Sequence, residues 1–405
     1  MVHWASGDLA GWITESGLTG MAETELLQGF CERAVAAGIP VIRGVVIVDT
    51  LHPVYEGRVF RWFRDPSELS AMHEYGRVEE DEGVALRWRQ SPFHHLIETG
   101  RSFLRRHLAA GEPPQFPSVE ELGLAGHTDY LALMQRFGGE GVIGEMDCVS
   151  SSWSTDAPGG FTDDQVAELR RLVPVLALAI KSASLARIAA TLVETYLGRD
   201  AGRRVLAGKI ARGVADRINA VLWFSDLRGY TRITDTAPPE QIIPLLNDYA
   251  EAVITAIHEA GGEVLKLIGD GTLAIFEASD PGQACRSALA AAFAAKGNVD
   301  VVNARRGAAG LPVTRPYLAL HVGEVLYGNI GSPDRLDFTV VGPAVNEVAR
   351  IAAMCRSVER NILLSSAFAE AAHAEDRARL VSVGRYALRG VGRAQDLFTL
   401  EPTPP

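Results

Sequence analysis

The chain has 405 residues, which is longer than one ordinary compact domain and predicts two or three domains, with two as the working number. Its residues are 47% hydrophobic and 22% charged, a globular composition that argues against disorder and collagen-like repeats. The formal net charge of -11 argues against a basic surface for nucleic acid or anionic membranes, so a polyanionic ligand must meet a few local cations.

The cysteines and the N-terminal sequence bear on the cellular compartment of the protein. The four cysteines are widely spaced and form no CxxC pair, which argues against a zinc site and a disulfide framework and fits a reducing cytoplasm. The N-terminus has no basic segment followed by an apolar one, so no secretory signal is predicted. The longest clean apolar run, 172–180, is about half the roughly 20 residues that a membrane helix needs. We expect a cytoplasmic protein with no membrane span.

Two β-hairpins are predicted in the first part of the chain. Each consists of two strand-like runs, rich in β-branched and aromatic residues, around a turn-rich segment. The paired runs are 41–50 with 58–65, and 129–137 with 142–155. The second turn contains Gly138, Gly139 and Gly141.

A long helix is predicted after the second hairpin. Thr162 followed by Gln165 has the capping-box pattern, and an apolar run with Pro174 inside it continues to residue 180. With the hairpins, the segment GGFTDDQVAELRRLVPVLALAI resembles a GAF-type sensor domain. The resemblance implies an α/β domain at 1–183 that senses a small molecule or another signal, and it names no ligand.

A helical linker is expected at 184–214. Leu185, Ile188, Leu192 and Tyr196 recur there at spacings of three and four, which is helical spacing. This apolar stripe either packs on its own domain or forms a short dimeric coiled coil. Two heptads do not decide between the two arrangements.

From residue 220 onward the sequence patterns of the predicted strands and helices are clearer. AVLWFS is a continuous apolar run that predicts a strand buried on both faces, ending at Asp226. A helix with one apolar face is predicted from Pro238 to the pair of glycines at 261–262, with a bend at Pro244.

A third hairpin is predicted after that helix. The runs 263–268 and 272–277 face each other across Gly269, Asp270 and Gly271, which tolerate turn conformations. A helix at 283–295 and a strand at 317–328 complete the series. The order strand, helix, hairpin, helix, strand is that of a ferredoxin-like unit, so an α+β domain is predicted at 215–405.

This order places Asp226 and Asp270 at neighbouring strand ends. Either residue alone is more often an ordinary turn residue. Together their carboxylates can face one point, where two hard cations would lower the pKa of an attacking hydroxyl and stabilise a leaving oxygen. The pair predicts a two-metal site for Mg²⁺ or Mn²⁺.

Four motifs in sequence carry a family resemblance. FSDLRGYT, KLIGDG, HVGEVLYGNIGS and FTVVGPAVNEVARI are similar in order and spacing to the class III adenylyl and guanylyl cyclases, over about residues 215–400. The resemblance implies that Asp226, Asp270 and the backbone carbonyl of Leu227 hold the metals. In that family the metal aspartates come from one subunit and the other site residues from its partner. It therefore implies a head-to-tail homodimer, whose angle the linker would adjust.

The resemblance assigns base recognition to Lys266 and Thr339. Lys266 shares a strand face with apolar residues, so it is partly desolvated and needs a partner. A cation can bond the adenine ring nitrogen, whereas N1 and N2 of guanine are donors and need an acceptor. Thr339 stands where many members carry aspartate, and it resembles the subgroup that responds to bicarbonate or carbon dioxide. We expect ATP as substrate, with bicarbonate or a small molecule as regulator.

The transition-state residues are expected on one helix. Asn346 and Arg350 are four apart, on one helix face, and match the family's VNxxxR. Their implied roles are to orient the ribose and to clamp the α-phosphate, where a guanidinium stabilises the charge that grows on pentavalent phosphorus. Arg389 in LRGVGR matches a cation that contacts the triphosphate, while Val391 replaces the family's frequent second lysine.

The expected reaction is therefore conversion of ATP to 3',5'-cyclic AMP and diphosphate, regulated by the N-terminal domain. Lys266 argues against a guanylate cyclase, and IGDG in place of a GGDEF-like signature argues against a diguanylate cyclase. A catalytically silent module should have lost a metal aspartate or Arg350, and all are present. A signal-binding protein that acts through its first 190 residues is a further alternative.

Overall fold

The computed structural model describes residues 6–65, 67, 72–76, 82–138, 143–144, 146–392 and 394–400. The chain divides into two compact units, Met1–Leu192 and Val193–Pro405. The division falls inside the segment expected to be a linker.

The N-terminal unit contains a six-stranded antiparallel sheet of order β3-β2-β1-β6-β5-β4. Its strands are β1 (Arg43–Asp49), β2 (Gly57–Phe63), β3 (Met72–Tyr75), β4 (Phe103–Arg106), β5 (Asp129–Arg136) and β6 (Cys148–Thr155). Its helices are α1 (Ser6–Leu18), α2 (Glu23–Ala36), α3 (Glu82–Arg89), α4 (Pro92–Thr99), α5 (Pro117–Leu124) and α6 (Asp163–Leu197). The predicted pairings β1–β2 and β5–β6 are both confirmed. Gly139 and Gly141 of the second predicted turn lie outside the described residues.

Both faces of this sheet are covered. Phe30 of α2, Trp153 of β6 and Leu169 of α6 belong to one apolar core, while Leu96 of α4 and Val119 of α5 belong to another. A sheet covered on both faces is compatible with the sensor domain suggested by the sequence. That assignment stays a prediction.

Helix α6 begins as predicted and continues further. The Thr162 hydroxyl accepts from the backbone N–H of Gln165 at 3.3 Å, and Gln165 Oε1 accepts from the N–H of Thr162 at 2.9 Å. The helix passes Pro174 and ends at Leu197. By length and composition alone it could cross a membrane, but Leu172, Leu176 and other apolar residues along it are buried in the core of the N-terminal unit.

The apolar stripe of the expected linker lies on this helix. Ile188 is 2% exposed, and Leu185 and Leu192 pack against the same core of the N-terminal unit. Tyr196 is 80% exposed. The structure therefore favours packing on the stripe's own unit over a coiled-coil seam.

The C-terminal unit contains an eight-stranded sheet of order β13-β14-β12-β10-β7-β9-β8, with β11 paired to β10. The strands are β7 (Ala215–Leu227), β8 (Glu263–Ile268), β9 (Gly271–Glu277), β10 (Pro316–Ser332), β11 (Arg335–Val341), β12 (Ile362–Ser365), β13 (Leu380–Tyr386) and β14 (Gln395–Leu400). The helices are α7 (Arg199–Leu206), α8 (Tyr230–Thr236), α9 (Ile242–Glu259), α10 (Pro281–Ala308), α11 (Pro343–Ser357), α12 (Ser366–Ala371) and α13 (Ala374–Arg377). Within this sheet, β10-β7-β9-β8 is antiparallel and linked by α9 and α10, which confirms the predicted ferredoxin-like unit.

Several predicted boundaries were wrong. β7 extends to Leu227, so Asp226 lies inside the strand, opposite Tyr317 of β10, rather than after its end. α9 begins at Ile242 after a short 3₁₀ turn, not at Pro238. Pro244 consequently lies in the first helical turn, where the missing N–H breaks no helical hydrogen bond, and the reason for a bend disappears.

Candidate active site

Asp226 and Asp270 lie side by side at one end of the ferredoxin-like sheet. Asp226 is the penultimate residue of β7, and Asp270 lies in the turn between β8 and β9. The backbone N–H of Leu227 donates to Asp270 Oδ2 at 3.1 Å and holds the turn carboxylate against β7. A Cβ at Gly271 would lie 2.8 Å from the carbonyl oxygen of Ser225, so this approach requires glycine. The structure thus brings the two aspartates together as the sequence predicted.

The two carboxylates disfavour each other's charge. Burial raises the pKa of Asp226 to about 6, together with the hydrogen bond that protonated Asp226 donates to Asp270 and the negative charge of Asp270. A divalent cation would relieve this repulsion, and two carboxylates with a backbone carbonyl are oxygen donors that suit Mg²⁺ or Mn²⁺. No group of three or more His, Cys, Asp or Glu side chains with metal-site geometry occurs among the described residues. The remaining ligands would therefore be water and phosphate oxygens, as is usual for Mg²⁺.

A cleft of about 1210 Å³ opens over this pair. Both aspartates and Leu227 line it, together with four arginines. These are Arg228, Arg232, Arg315 and Arg356. Arg315 pairs with Asp300 at 2.8 Å, whereas the other three have no carboxylate partner in the described ranges. The cleft therefore combines paired acids with cations, which suits a metal-bound polyphosphate.

Sequence reasoning missed these four arginines. They come from segments about 90 and 40 residues apart along the chain. Arg228 belongs to FSDLRGYT but was assigned no role, and the other three lie outside the four motifs. Only the folded sheet places them around one cleft.

Lys266 has a carboxylate partner. Its Nζ donates to Oδ2 of Asp337 at 2.7 Å, which joins β8 to β11. The lysine side chain is 34% exposed, so it is partly desolvated as predicted. Asp337 was not identified from the sequence. Its one signal there is its position two residues before Thr339, on the same face of a strand.

Thr339 lies on the same strand as Asp337. It is 5% exposed, and its hydroxyl has no hydrogen-bond partner in the part of the chain that the structure describes. A buried polar atom without a partner calls for an explanation, and a bound ligand supplies one. Asp337 and Thr339 thus share one face of β11, and Asp337 pairs with Lys266 of β8.

Asn346 and Arg350 lie on α11, one turn apart. Asn346 is exposed and Arg350 is half-buried. A Cβ on Gly390 would lie 3.3 Å from one terminal nitrogen of Arg350, so the guanidinium packs directly against the loop that carries Arg389. Gly390 has φ +69, a left-handed conformation that favours glycine. The structure therefore brings Arg350 and the loop of Arg389 together.

The predicted residues form separate groups within one chain. Lys266, Thr339, Asn346, Arg350 and Arg389 all lie outside the lining of the cleft that contains the aspartates.

Comparison with known proteins identifies the C-terminal unit. Residues 215–401 match the family described as adenylate and guanylate cyclase catalytic domain. These residues form a cyclase domain of that family. It is a lyase family whose class III members depend on metal ions.

Curated relatives align with parts of the chain. An adenylate cyclase of Anabaena cylindrica is 34% identical over 153 residues, which are 38% of this chain and 30% of that protein. An uncharacterized protein of Mycobacterium tuberculosis is 31% identical over 217 residues, which are 53% of this chain and 38% of that protein. The chain thus spans about a third of the length of these relatives.

Solved cyclase structures are also similar to part of the chain. The adenylyl cyclase CyaB from P. aeruginosa has 21% identity and a TM-score of 0.43, covering 47% of this chain and 97% of its own. The guanylyl cyclase Cya2 has 28% identity and a TM-score of 0.41, covering 46% of this chain and 93% of its own.

Proposed function

We propose that the chain is an adenylate cyclase that converts ATP to 3',5'-cyclic AMP and diphosphate. The observation that carries the proposal is the apposition of Asp226 and Asp270 in an arginine-lined cleft of a cyclase domain. Paired acids with nearby cations suit a reaction that deprotonates a ribose hydroxyl and releases a diphosphate.

In this proposal Asp226, Asp270 and the Leu227 carbonyl hold two ions, Mg²⁺ or Mn²⁺. When bound, the ions lower the pKa of the ribose 3'-hydroxyl and neutralise phosphate charge. Arg315 and Arg356 line the same cleft and would bind the departing phosphates. The Asp270 carboxylate is already held against β7, and Arg315 is already held by Asp300, so these groups need little rearrangement when the substrate arrives. Such preorganisation lowers the cost of reaching the transition state.

Arg350 and Asn346 act on the reacting end of the nucleotide. Asn346 is exposed on α11 and can hydrogen-bond the ribose, one turn from a guanidinium that can follow the α-phosphate as its charge grows. Packing against Gly390 orients Arg350, and Arg389 on the same loop supplies a further cation for the triphosphate.

Lys266 favours adenine over guanine. Its ammonium group can donate to an adenine ring nitrogen, and the buried Thr339 hydroxyl can accept from the adenine amino group. Asp337 holds the ammonium in place through their 2.7 Å ion pair. The lysine is thereby ordered before the base binds, which reduces the entropy lost on binding.

Asp337 also favours a second candidate function, guanylate cyclase. Its carboxylate is 49% exposed and lies beside the proposed base site. A carboxylate accepts hydrogen bonds, which is what the N1 and N2 donors of guanine require.

We infer that the active site forms between two copies of the chain. In one chain Lys266 and Arg350 lie outside the cleft of the two aspartates, and a head-to-tail homodimer would join the cleft of each copy to these residues of the other. The N-terminal unit would then sense a regulator, with a small molecule or bicarbonate as the expected class. A cytoplasmic location is part of the same proposal.

The substrate is tested by product analysis. Purified full-length protein with Mn²⁺ is incubated with ATP or GTP in separate reactions, and cyclic nucleotides are quantified by mass spectrometry. The proposal predicts cyclic AMP at a kcat/KM at least about tenfold above that for cyclic GMP, the value of one well-placed hydrogen bond. A preference for GTP would establish guanylate cyclase, the second candidate function. Absence of product from both nucleotides would indicate a cyclase fold without catalytic activity.

A further inference from the structure

A second cavity lies in the cyclase domain, beside α10. It has a volume of about 640 Å³ and is bounded by α10 and by residues of β10, β12, β13 and β14. Its walls are largely apolar and include Phe293, Leu318, Ile362, Val381 and Leu400. Val381 is 40% exposed, so part of this wall faces solvent. We refer to this cavity as the α10 groove.

The charged residues of the α10 groove are mostly cations. Lys296, Arg315 and Arg360 line it, and Asp300 is the single acid in the described lining. The excess of positive charge is conspicuous in a chain whose formal net charge is -11. An anionic ligand would therefore find a complementary charge here that most of the surface does not offer.

Arg360 is available to a ligand, whereas Arg315 and Lys296 share one carboxylate partner, Asp300, at 2.8 and 3.6 Å. Arg360 is exposed and donates only to the backbone oxygen of Glu359, at 3.1 Å, with no carboxylate partner in the described ranges. Arg315 lies 2.8 Å from Asp300 Oδ1, yet that buried oxygen accepts no well-aligned hydrogen bond. A planar carboxylate from a ligand can offer these guanidiniums better geometry than the chain does.

We propose that the α10 groove binds a small amphipathic anion, a medium-length alkyl chain that ends in a carboxylate. The carboxylate lies between Arg360 and Arg315, within reach of Lys296, and the alkyl chain covers Phe293 and Val381. The volume falls in the range of small-molecule sites, which combine apolar walls with a few polar groups that fix orientation.

The position of Arg315 determines how the proposal must be tested. Arg315 and Asn361 line both the α10 groove and the cleft of Asp226 and Asp270, so an anion could bind in either cavity. Arg360 lines only the groove, and Arg356 lines only the cleft. Both are exposed, and neither has a carboxylate partner within the described stretches, which makes their alanine variants a matched pair.

The experiment is calorimetric titration of octanoate into the full-length protein without nucleotide. We expect saturable binding that Arg360→Ala weakens about tenfold, the loss of one charge-assisted contact, while Arg356→Ala stays within about twofold of the wild type. Octan-1-ol, which has the same chain and no charge, should bind at least about tenfold more weakly. Val381→Glu places a like charge on a solvent-facing wall and should abolish binding while the melting temperature is kept.

Three results would overturn the proposal. These are absence of saturable octanoate binding, equal affinity for octan-1-ol, and a loss of binding in Arg356→Ala rather than Arg360→Ala. If a second copy of the chain occupied the groove instead, octanoate would not bind saturably, which is the first of these results. Because the titration contains no nucleotide, its outcome is independent of the proposed cyclase activity.

Discussion

Lys266 Nζ lies 2.7 Å from Asp337 Oδ2, so the residue expected to select adenine is held by a carboxylate on β11. Asp337→Asn keeps the shape and removes the charge that orders the ammonium. If ATP is the substrate, kcat/KM for ATP should fall about tenfold, as for loss of one charge-assisted contact. Asp334→Asn, in the exposed turn between β10 and β11, is the control and should leave the value unchanged. Equal values of kcat/KM for both variants would show that Asp337 does not contribute to base recognition.

Thr339 allows a test that separates ligand binding from folding. Its buried hydroxyl has no partner in the described structure, so Thr339→Val removes an unsatisfied oxygen and should leave the melting temperature unchanged or raised. The same change should lower kcat/KM for ATP, by about three- to tenfold for one neutral hydrogen bond. A lower melting temperature with unchanged kinetics would make the hydroxyl a structural group.

The Asp226–Asp270 pair predicts a stability that depends on metal and pH. Because the pKa of Asp226 is raised to about 6, its contribution is fully present below its unfolded pKa of about 4 and is lost as the pH rises through 6. In EDTA at pH 7.5, Asp226→Asn should therefore melt at a higher temperature than the wild type, and the difference should shrink at pH 5.

Added Mn²⁺ supplies the matching control for that comparison. It should raise the melting temperature of the wild type by binding the folded state and have little effect on Asp226→Asn. Differential scanning fluorimetry measures the melting temperature of both proteins under each of these conditions. Two results would contradict a repulsive pair that binds metal. One is a lower melting temperature for Asp226→Asn than for the wild type in EDTA, and the other is a wild-type melting temperature that Mn²⁺ does not change.

Gly390 predicts an indirect effect on Arg350. Gly390→Ala introduces a Cβ 3.3 Å from the guanidinium and forces alanine into a left-handed conformation. We expect kcat to fall about tenfold or more, with a smaller change in KM, because the displaced group acts mainly in the transition state. Gly392→Ala is the matched control, since its added Cβ meets nothing within 4 Å. Equal effects of the two variants would indicate a general loop disturbance.

The sequence was sufficient for the ferredoxin-like unit. The apolar run 220–225, the amphipathic α9 and the turn around Asp270 each carry a local signal, and together they determine which strand ends are neighbours. The proximity of Asp226 and Asp270 follows from that order. Pro244 was misjudged because local patterns do not locate the first residue of a helix, and a shift of four residues turns a helix breaker into a tolerated first-turn proline.

Contacts between distant segments could not be predicted in the same way. Asp337 contacts Lys266 only because β11 lies beside β8 in the folded chain. The local residue spacing of either strand does not predict that the two strands are neighbours. The arginines of the cleft come from three distant segments of the chain. The linker stripe had the correct helical spacing, but only the structure shows that Ile188 is buried in the N-terminal unit.

The most direct test of the account is the rate of cyclic AMP formation from ATP by an equal mixture of Asp226→Ala and Arg350→Ala proteins. Each variant alone should lose at least about 100-fold in rate, since each lacks one essential group in both sites of a homodimer. After subunit exchange, half of the dimers carry one intact site, so the mixture should recover about one quarter of the wild-type rate. An active wild type with no recovery in the mixture would contradict a site shared between two copies, as would appreciable activity of either variant alone.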